Sequence, residues 1–351
     1  MTTATPPAPG PNDVVKVGRA SLDANRRRVT RVAYALLAPT IVVMAVVVGY
    51  PIVLSVIDSF QADAHLDPAT GFFVSGGFAG LTNYAHWLLQ QCTTTAGNGA
   101  CAQGNLGASF WNATFNTFFF TIVTVALETI FGLWMAIIMN RNFRGRGILR
   151  AAVLVPWAIP TAVTAKLFFF IFATSGIVNA LLNAEIIWGA DLWASRFAII
   201  IADTWKTTPF MALLILAGLQ LIPEDTYEAA RMDGATTVQT FFRITLPLVR
   251  PALVVAILFR TLDALRMYDL PAILTGGGGG RGDATTTLSI LVVKEIQNTA
   301  VNSAAALSTI TFLIVFGVAF LFIRLLGANI TGSESKSVSY THLTLPTNRE
   351  V

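Results

Sequence analysis

Six separate apolar blocks constrain this chain more than any other feature of its sequence. They cover about 33–57, 113–139, 151–173, 197–219, 251–274 and 304–326. Each is near or above the ~18–20 residues that a helix needs to cross a bilayer core of ~30 Å. Only 12% of the 351 residues are charged, about half the share in an ordinary soluble domain. The expected fold class is therefore an all-α polytopic membrane protein with six transmembrane helices. Pro39, Pro51, Pro156 and Pro160 fall inside blocks. A proline there frees a backbone carbonyl that neighbouring helices can satisfy and lipid cannot, so these helices are expected to bend and to pack in a bundle.

Basic residues set the expected orientation, since short loops rich in Lys and Arg stay in the cytoplasm. Lys16, Arg19, Arg26, Arg27, Arg28 and Arg31 precede the first block. Arg141, Arg144, Arg146 and Arg150 lie between the second and third, and Arg231, Arg243 and Arg250 between the fourth and fifth. The alternate connections 61–112 and 174–195 carry none, Arg196 sits at the edge of the second of these, and 275–303 carries only Arg281 and Lys294. Both termini and the loop at 221–250 are thus expected in the cytoplasm. The net charge of +4 follows from this topology. No groove of basic residues with stacking aromatics suggests a nucleic-acid partner. The first block is too long for a cleavable signal and should remain as a helix.

The expected organisation is a basic cytoplasmic segment over 1–32, the membrane domain over 33–326 and a short tail over 327–337. Residues 338–351 resemble a translated sequencing-library adapter and are left out of fold reasoning. Cys92 and Cys101 are the only cysteines, in an exterior loop whose compartment permits oxidation. A disulfide is expected there and two free thiols are the alternative; a metal site would need further ligands. His65 and His86 lie in the same loop without ligand spacing.

The fourth and fifth blocks are joined by an ordered motif. Glu228-Ala229-Ala230 is followed after three residues by Gly234, and after nine more by Ile244-Thr245-Leu246-Pro247. Linkers place no demand on such spacing, so this stretch is expected to be a docking surface for another protein. Pro223, Glu224 and Asp225 suit a helix start, and Gly234 can adopt the backbone angles that end one helix and begin a turn.

Charges inside the blocks are costly and face a partner or a water-filled cavity. Arg260, Asp263, Arg266 and Asp269 follow one another at i,i+3 with alternating sign, which fits a neutralised ladder holding helices together or a site for a polyhydroxylated solute. Asp203 and Lys206 are one turn apart and could pair with each other. Glu128 and Lys166 are isolated, and buried partners are expected for them in preference to a proton path. Trp111, Trp188 and Trp193 are placed as interfacial anchors. The glycines at 276–280, followed by Arg281-Gly282-Asp283, lack the Gly-Lys-Ser/Thr ending of a phosphate loop; they form either a plain linker or an exterior contact with a solute-delivering protein.

The docking motif resembles the EAA loop of permease subunits in bacterial ABC importers. Four further stretches resemble carbohydrate permeases of the maltose and trehalose type, most of all those of actinobacteria: Trp205-Lys206-Thr207-Thr208-Pro209-Phe210-Met211, the run from Phe259 to Leu270, Gly80-Leu81-Thr82-Asn83-Tyr84, and Leu274-Thr275-Gly276-Gly277. The resemblance implies a six-helix ABC importer permease domain for a di- or oligosaccharide. It implies docking of a cytoplasmic ATPase at Glu228, Ala229, Ala230, Asp233 and Gly234. By position it places Asp203, Lys206, Thr207 and Phe210 before the loop, and Phe259, Asp263 and Arg266 after it, around the sugar. The implied partners are a second permease chain, two ATPase subunits and an extracytoplasmic sugar-binding protein, in the bacterial plasma membrane. The chain itself would be non-catalytic and hold no cofactor, with ATP and Mg on the ATPase. The same architecture could instead carry another polar solute such as glycerol phosphate. A proton-coupled secondary transporter would lack the docking loop, and a membrane enzyme would need a clustered nucleophile, base or metal set that is missing here.

Overall fold

The computed structural model describes residues 11–66, 71–74, 76–94, 97–276 and 283–326. The glycine run after Gly276, the tail at 327–337 and the adapter-like end at 338–351 lie outside these residues. The chain divides into two units, Met1–Asp58 and Ser59–Val351. In the first, α1 (Pro11–Met44) passes through one π-helical turn, Ala45–Gly49, into α2 (Tyr50–Asp58). Pro51 has no N–H to offer the carbonyl four residues earlier, and the turn just before it widens so that the Tyr50 amide reaches back to Ala45.

The second unit begins with small elements. β1 (His65–Leu66) pairs antiparallel with β2 (Phe73–Val74), α3 (Thr82–Leu88) follows, and β3 (Gln91–Thr94) pairs antiparallel with β4 (Gly97–Ala100). Cys92 and Cys101 are bonded to each other across this hairpin. The helices then run as α4 (Phe110–Asn140), α5 (Arg146–Ala158), α6 (Thr161–Ile171), α7 (Ile177–Leu182) and α8 (Leu192–Leu219). They continue with α9 (Glu224–Met232), α10 (Thr237–Thr240), α11 (Leu246–Ala264), α12 (Asp269–Leu274), α13 (Leu288–Gln297) and α14 (Val301–Leu326).

Five described helical stretches are long and apolar enough to cross a membrane, and α5 and α6 pass the same test together as a bent pair, which makes six where the pair is one span. The all-α, six-span expectation therefore describes the fold, but two of the blocks are not continuous helices. The third, expected as one helix over 151–173, breaks between α5 and α6 with a bend of 88°. Pro160 disfavours helical angles in the residue before it, and Ile159 is extended, with ψ 131°. The fifth, expected over 251–274, leaves the helix after Ala264 and resumes at Asp269. Pro271 cannot donate to the Met267 carbonyl, which accepts from the Thr287 hydroxyl at 2.9 Å instead.

α4 packs along α8, and α11 packs against both. Ala136, Met139, Met211, Ala212, Ile215, Val249 and Ala256 fill the space between the three helices. Threonines in α4 turn their hydroxyls back to carbonyls one turn earlier, as Thr117 does to Ala113 at 2.8 Å and Thr121 to Thr117 at 2.7 Å, so these polar side chains cost little in an apolar setting. α8 and α11 approach closely at Gly218, where an added Cβ would stand 2.2 Å from the Ala252 Cβ. Gly218→Val should therefore drive the two helices apart, at a cost of at least about 1–3 kcal/mol. A lower thermal midpoint in detergent and reduced abundance in the membrane fraction are the expected results.

A second cluster, with Trp87, Phe110, Leu288, Leu291 and Leu307, ties α3 and α4 to α13 and α14. Asp63 caps α14 by accepting from the amides of Asn302 (2.6 Å) and Ser303 (3.2 Å), where a carboxylate meets the positive end of the helix. Arg196, expected at a span edge, is buried. Its guanidinium donates to Asn116 Oδ1 (2.8 Å) and to the Ala284 carbonyl (3.1 Å), while the Asn116 amide holds the Asp283 and Thr286 carbonyls. These bonds fix the chain that enters α13. Trp111 and Trp193 are more than half exposed, as anchors would be, whereas Trp188 is half-buried and donates to Asn179 Oδ1 at 2.8 Å.

Candidate functional site

Four of the intramembrane charges meet at one place. Glu128 on α4, Asp203 on α8 and Asp263 on α11 all converge on Arg260. The Arg260 guanidinium is 2% exposed; its Nε donates to Glu128 Oε2 at 2.5 Å, one terminal nitrogen bonds Asp203, and the other donates to Asp263 Oδ2 at 2.9 Å. The fork geometry of arginine allows one cation to serve three carboxylates on three helices. Thr207 sits against the same cluster, its hydroxyl 2.5 Å from Glu128 Oε1.

The expectation of a buried partner for Glu128 is met by Arg260. That for Lys166 is not: Lys166 is exposed, and its ammonium lies over the Phe169 ring at 5.4 Å from the centroid. Asp203 and Lys206 do not pair with each other, because Asp203 is taken by Arg260 and Lys206 donates to the Ile159 carbonyl at 2.9 Å. That carbonyl belongs to the break before Pro160, so the bend in the third span is what supplies an acceptor for a lysine inside the bundle. The i,i+3 ladder survives only in its first step. Arg260 and Asp263 are bonded, but the helix ends at Ala264, and Arg266 turns its Nε to the Leu262 carbonyl at 3.1 Å.

Above the cluster lies a cleft of 130 Å³ lined by Asp203, Lys206, Thr207, Arg260, Asp263 and Arg266, with Thr161, Tyr268 and Asp269 also on its wall. Five of the seven residues expected around a solute therefore come together here. Phe210 and Phe259 do not line it: Phe210 stacks on Trp157 with centroids 5.8 Å apart, and Phe259 is 56% exposed. Tyr268 is the aromatic side chain on the cleft wall. It was hard to find from sequence because its place depends on the chain leaving the helix at Leu265. Arg260 and Glu128 were visible as charges, but their meeting depends on how α4 and α11 pack. The cleft is far smaller than the ~300–1,000 Å³ of typical small-molecule sites. Its lining offers donors from Lys206 and Arg266 and acceptors from Asp203, Asp263 and Asp269.

The loop between α8 and α11 is built as its motif suggested. α9 starts after Pro223 with Glu224 and Asp225 in its first turn. It ends with Gly234 at φ +73°, the Gly234 amide bonded to the Arg231 carbonyl at 3.1 Å and the Ala235 amide to Ala230 at 3.0 Å. This paired closure needs a left-handed residue, which glycine supplies at least cost. Thr236 and Gln239 then cap α10 reciprocally. Glu228, Ala229, Asp233 and Gly234 are exposed, while Ala230 is buried.

In the exterior loop, His86 Nδ1 stands 3.5 Å from Cys92 Sγ and 3.9 Å from Cys101 Sγ. The two sulfurs are bonded to each other and offer no thiolate to a metal.

Five long apolar helices and one bent pair, a polar cluster at the meeting of three helices and an ordered double-helical loop between α8 and α11 define the permease domain of an ABC importer. Residues 128–331 match the family described as binding-protein-dependent transport system inner membrane component, and the chain belongs to that family. It is 39% identical over 302 residues to the trehalose/maltose transport system permease protein MalF of Thermococcus litoralis, a match covering 85% of this chain and 94% of that protein. It is 35% identical over 316 residues to the trehalose transport system permease protein SugA of Mycobacterium tuberculosis, covering 90% and 94%. Its fold matches one chain in the crystal structure of a bacterial ABC transporter involved in the import of the acidic polysaccharide alginate, with a TM-score of 0.68, 20% identity and coverage of 88% and 99%.

Proposed function

We propose that this chain is one permease subunit of an ATP-driven importer of a neutral di- or oligosaccharide, and that the cleft above Arg260 is its share of the sugar path. The observation that carries this reading is the composition of the cleft. Asp203, Asp263 and Asp269 face Lys206, Arg260 and Arg266, three carboxylates against three cations, with Glu128 directly behind Arg260. Such a wall supplies donors and acceptors to hydroxyls and has no surplus positive charge for an anion such as glycerol phosphate. Relatives named for trehalose and maltose transport support the same solute class.

The cleft needs a facing wall, for which we propose a second permease chain. One of two ATPase subunits, which carry ATP and Mg, would seat on α9 and α10 through Glu228, Ala229, Ala230, Asp233 and Gly234. An extracytoplasmic binding protein would deliver the sugar on the opposite side. The chain itself is a non-catalytic conduit without a cofactor. Both termini and the α9–α10 loop would face the cytoplasm of a bacterial cell, on the strength of the arginine bias.

Asp263 separates solute binding from scaffolding, since its side chain is 67% exposed whereas that of Arg260 is 2% exposed. Asp263→Asn should leave membrane abundance unchanged and reduce sugar uptake to background in proteoliposomes holding all subunits. Normal uptake, or competition by glycerol phosphate but not by disaccharides, would overturn the reading. Uptake that needs a proton gradient and no ATP would overturn the importer class.

A further inference from the structure

A second cavity is separate from the cleft above Arg260. It measures 690 Å³ and lies where the end of α4, the end of α8, the α9–α10 loop and the start of α11 meet. Ile137, Leu219, Phe241 and Phe242 form an apolar floor, and Arg141 and Arg231 stand on its walls. We propose that it is a binding site for an anionic phospholipid, with the two guanidiniums on the phosphate and the upper acyl chains against the apolar floor.

The level of the cavity argues for lipid. α4 is apolar through Ile137, Ile138 and Met139 and turns polar at Asn140 and Arg141. Trp134, 62% exposed two turns before Arg141, marks the interfacial belt. The ends of two spanning helices bracket the cavity, so its floor faces the hydrocarbon boundary and its rim faces the headgroups.

Charge argues for an anion. Of the neighbouring arginines, Arg150 donates to the Met139 carbonyl at 2.8 Å and Arg146 to Asn142 Oδ1, while Arg144, Arg243 and Arg250 are not on the lining. Among the described residues, Arg141 and Arg231 have no side-chain hydrogen bond or ion pair, and Glu224 is the single carboxylate on the lining. Basic pockets between helices at a membrane surface take phospholipid headgroups, and a phosphodiester offers acceptor oxygens that two guanidiniums can share. A free phosphate would leave the apolar floor unfilled. The inference rests on the membrane level of the cavity and does not depend on what α9 and α10 dock.

The complete importer, reconstituted in nanodiscs, would be irradiated with a photoactivatable phosphatidylglycerol or with the matched phosphatidylcholine, and the labelled peptides mapped. Severalfold stronger labelling of 137–141 and 237–245 by the anionic probe is expected, with a comparable drop in Arg141→Gln and recovery in Arg141→Lys. Equal labelling by the two probes in the unaltered complex would overturn the proposal, whatever the variants do. So would displacement of the label by millimolar inorganic phosphate, which would mean a free-anion site, or labelling only when the ATPases are absent, which would give the cavity to them.

Discussion

Arg260→Ala should remove most of the protein from the membrane fraction and, in whatever remains, lower the thermal midpoint sharply. The substitution leaves Glu128, with no exposed surface, and Asp203, with 4%, as carboxylates without their cation. Breaking a buried ion pair from one side costs about 3–5 kcal/mol, because the stranded charge keeps its desolvation penalty after losing its partner. That is a large part of the ~5–15 kcal/mol that stabilises an ordinary native protein. Removing the whole cluster should be milder. In the triple variant Arg260→Met, Glu128→Gln, Asp203→Asn the three buried ions of the cluster are gone, and abundance should recover relative to Arg260→Ala. Quantitative immunoblotting of membranes with detergent-phase thermal unfolding makes the comparison. Equal loss in the single and triple variants would show that Arg260 matters for packing and not for charge. Asp263→Asn, acting on the exposed partner of the same arginine, should show the reverse pattern of full abundance and lost uptake.

Gly234→Leu should abolish sugar uptake while the protein stays in the membrane. At φ +73° a residue with a Cβ is strained by roughly 1–2 kcal/mol. Beyond Gly234 and its two chain neighbours, no atom lies within 4 Å of where that Cβ would stand, so the strain is local and the membrane bundle has no reason to fall apart. The strain is expected to disrupt the turn from α9 to α10, and with it the surface proposed to meet the ATPase. The expected signature is ATP hydrolysis by the reconstituted complex that no longer rises when sugar-loaded binding protein is added. Normal uptake would show that the angle between α9 and α10 is irrelevant to coupling. Gly234→Ala, with the same positive φ and less bulk, should fall between the two, since strain and steric obstruction both contribute.

Much of this was legible in the chain because the forces involved are local or counted along the sequence. Six apolar blocks, the arginine bias and the spacing from Glu228 to Pro247 need no knowledge of packing. The left-handed turn at Gly234 and the reciprocal cap of Thr236 and Gln239 come from backbone preferences a few residues long. The breaks in the third and fifth spans were only half legible. Pro160 and Pro271 mark where a helix must lose a hydrogen bond, but the 88° bend and the departure at Leu265 require acceptors and donors from elsewhere, here Lys206 for the Ile159 carbonyl and Thr287 for that of Met267.

The candidate site shows the same division. Helical spacing pointed to a ladder from Arg260 to Asp269, yet the structure sends Arg260 across to Glu128 and Asp203, residues 132 and 57 positions away. No period in the sequence encodes such a meeting, because it is fixed by how α4, α8 and α11 cross. By itself the sequence determined that this chain carries six apolar membrane blocks, where the connection between the fourth and fifth turns at Gly234, and that Glu128 needed a buried partner. Only the tertiary structure decided which charge met which, that Tyr268 and not Phe210 or Phe259 lines the cleft, and that a cavity opens behind α9. Hydrophobic burial and backbone preference act on each segment alone, whereas a buried ion is stable only where several segments place its partners within a few ångströms.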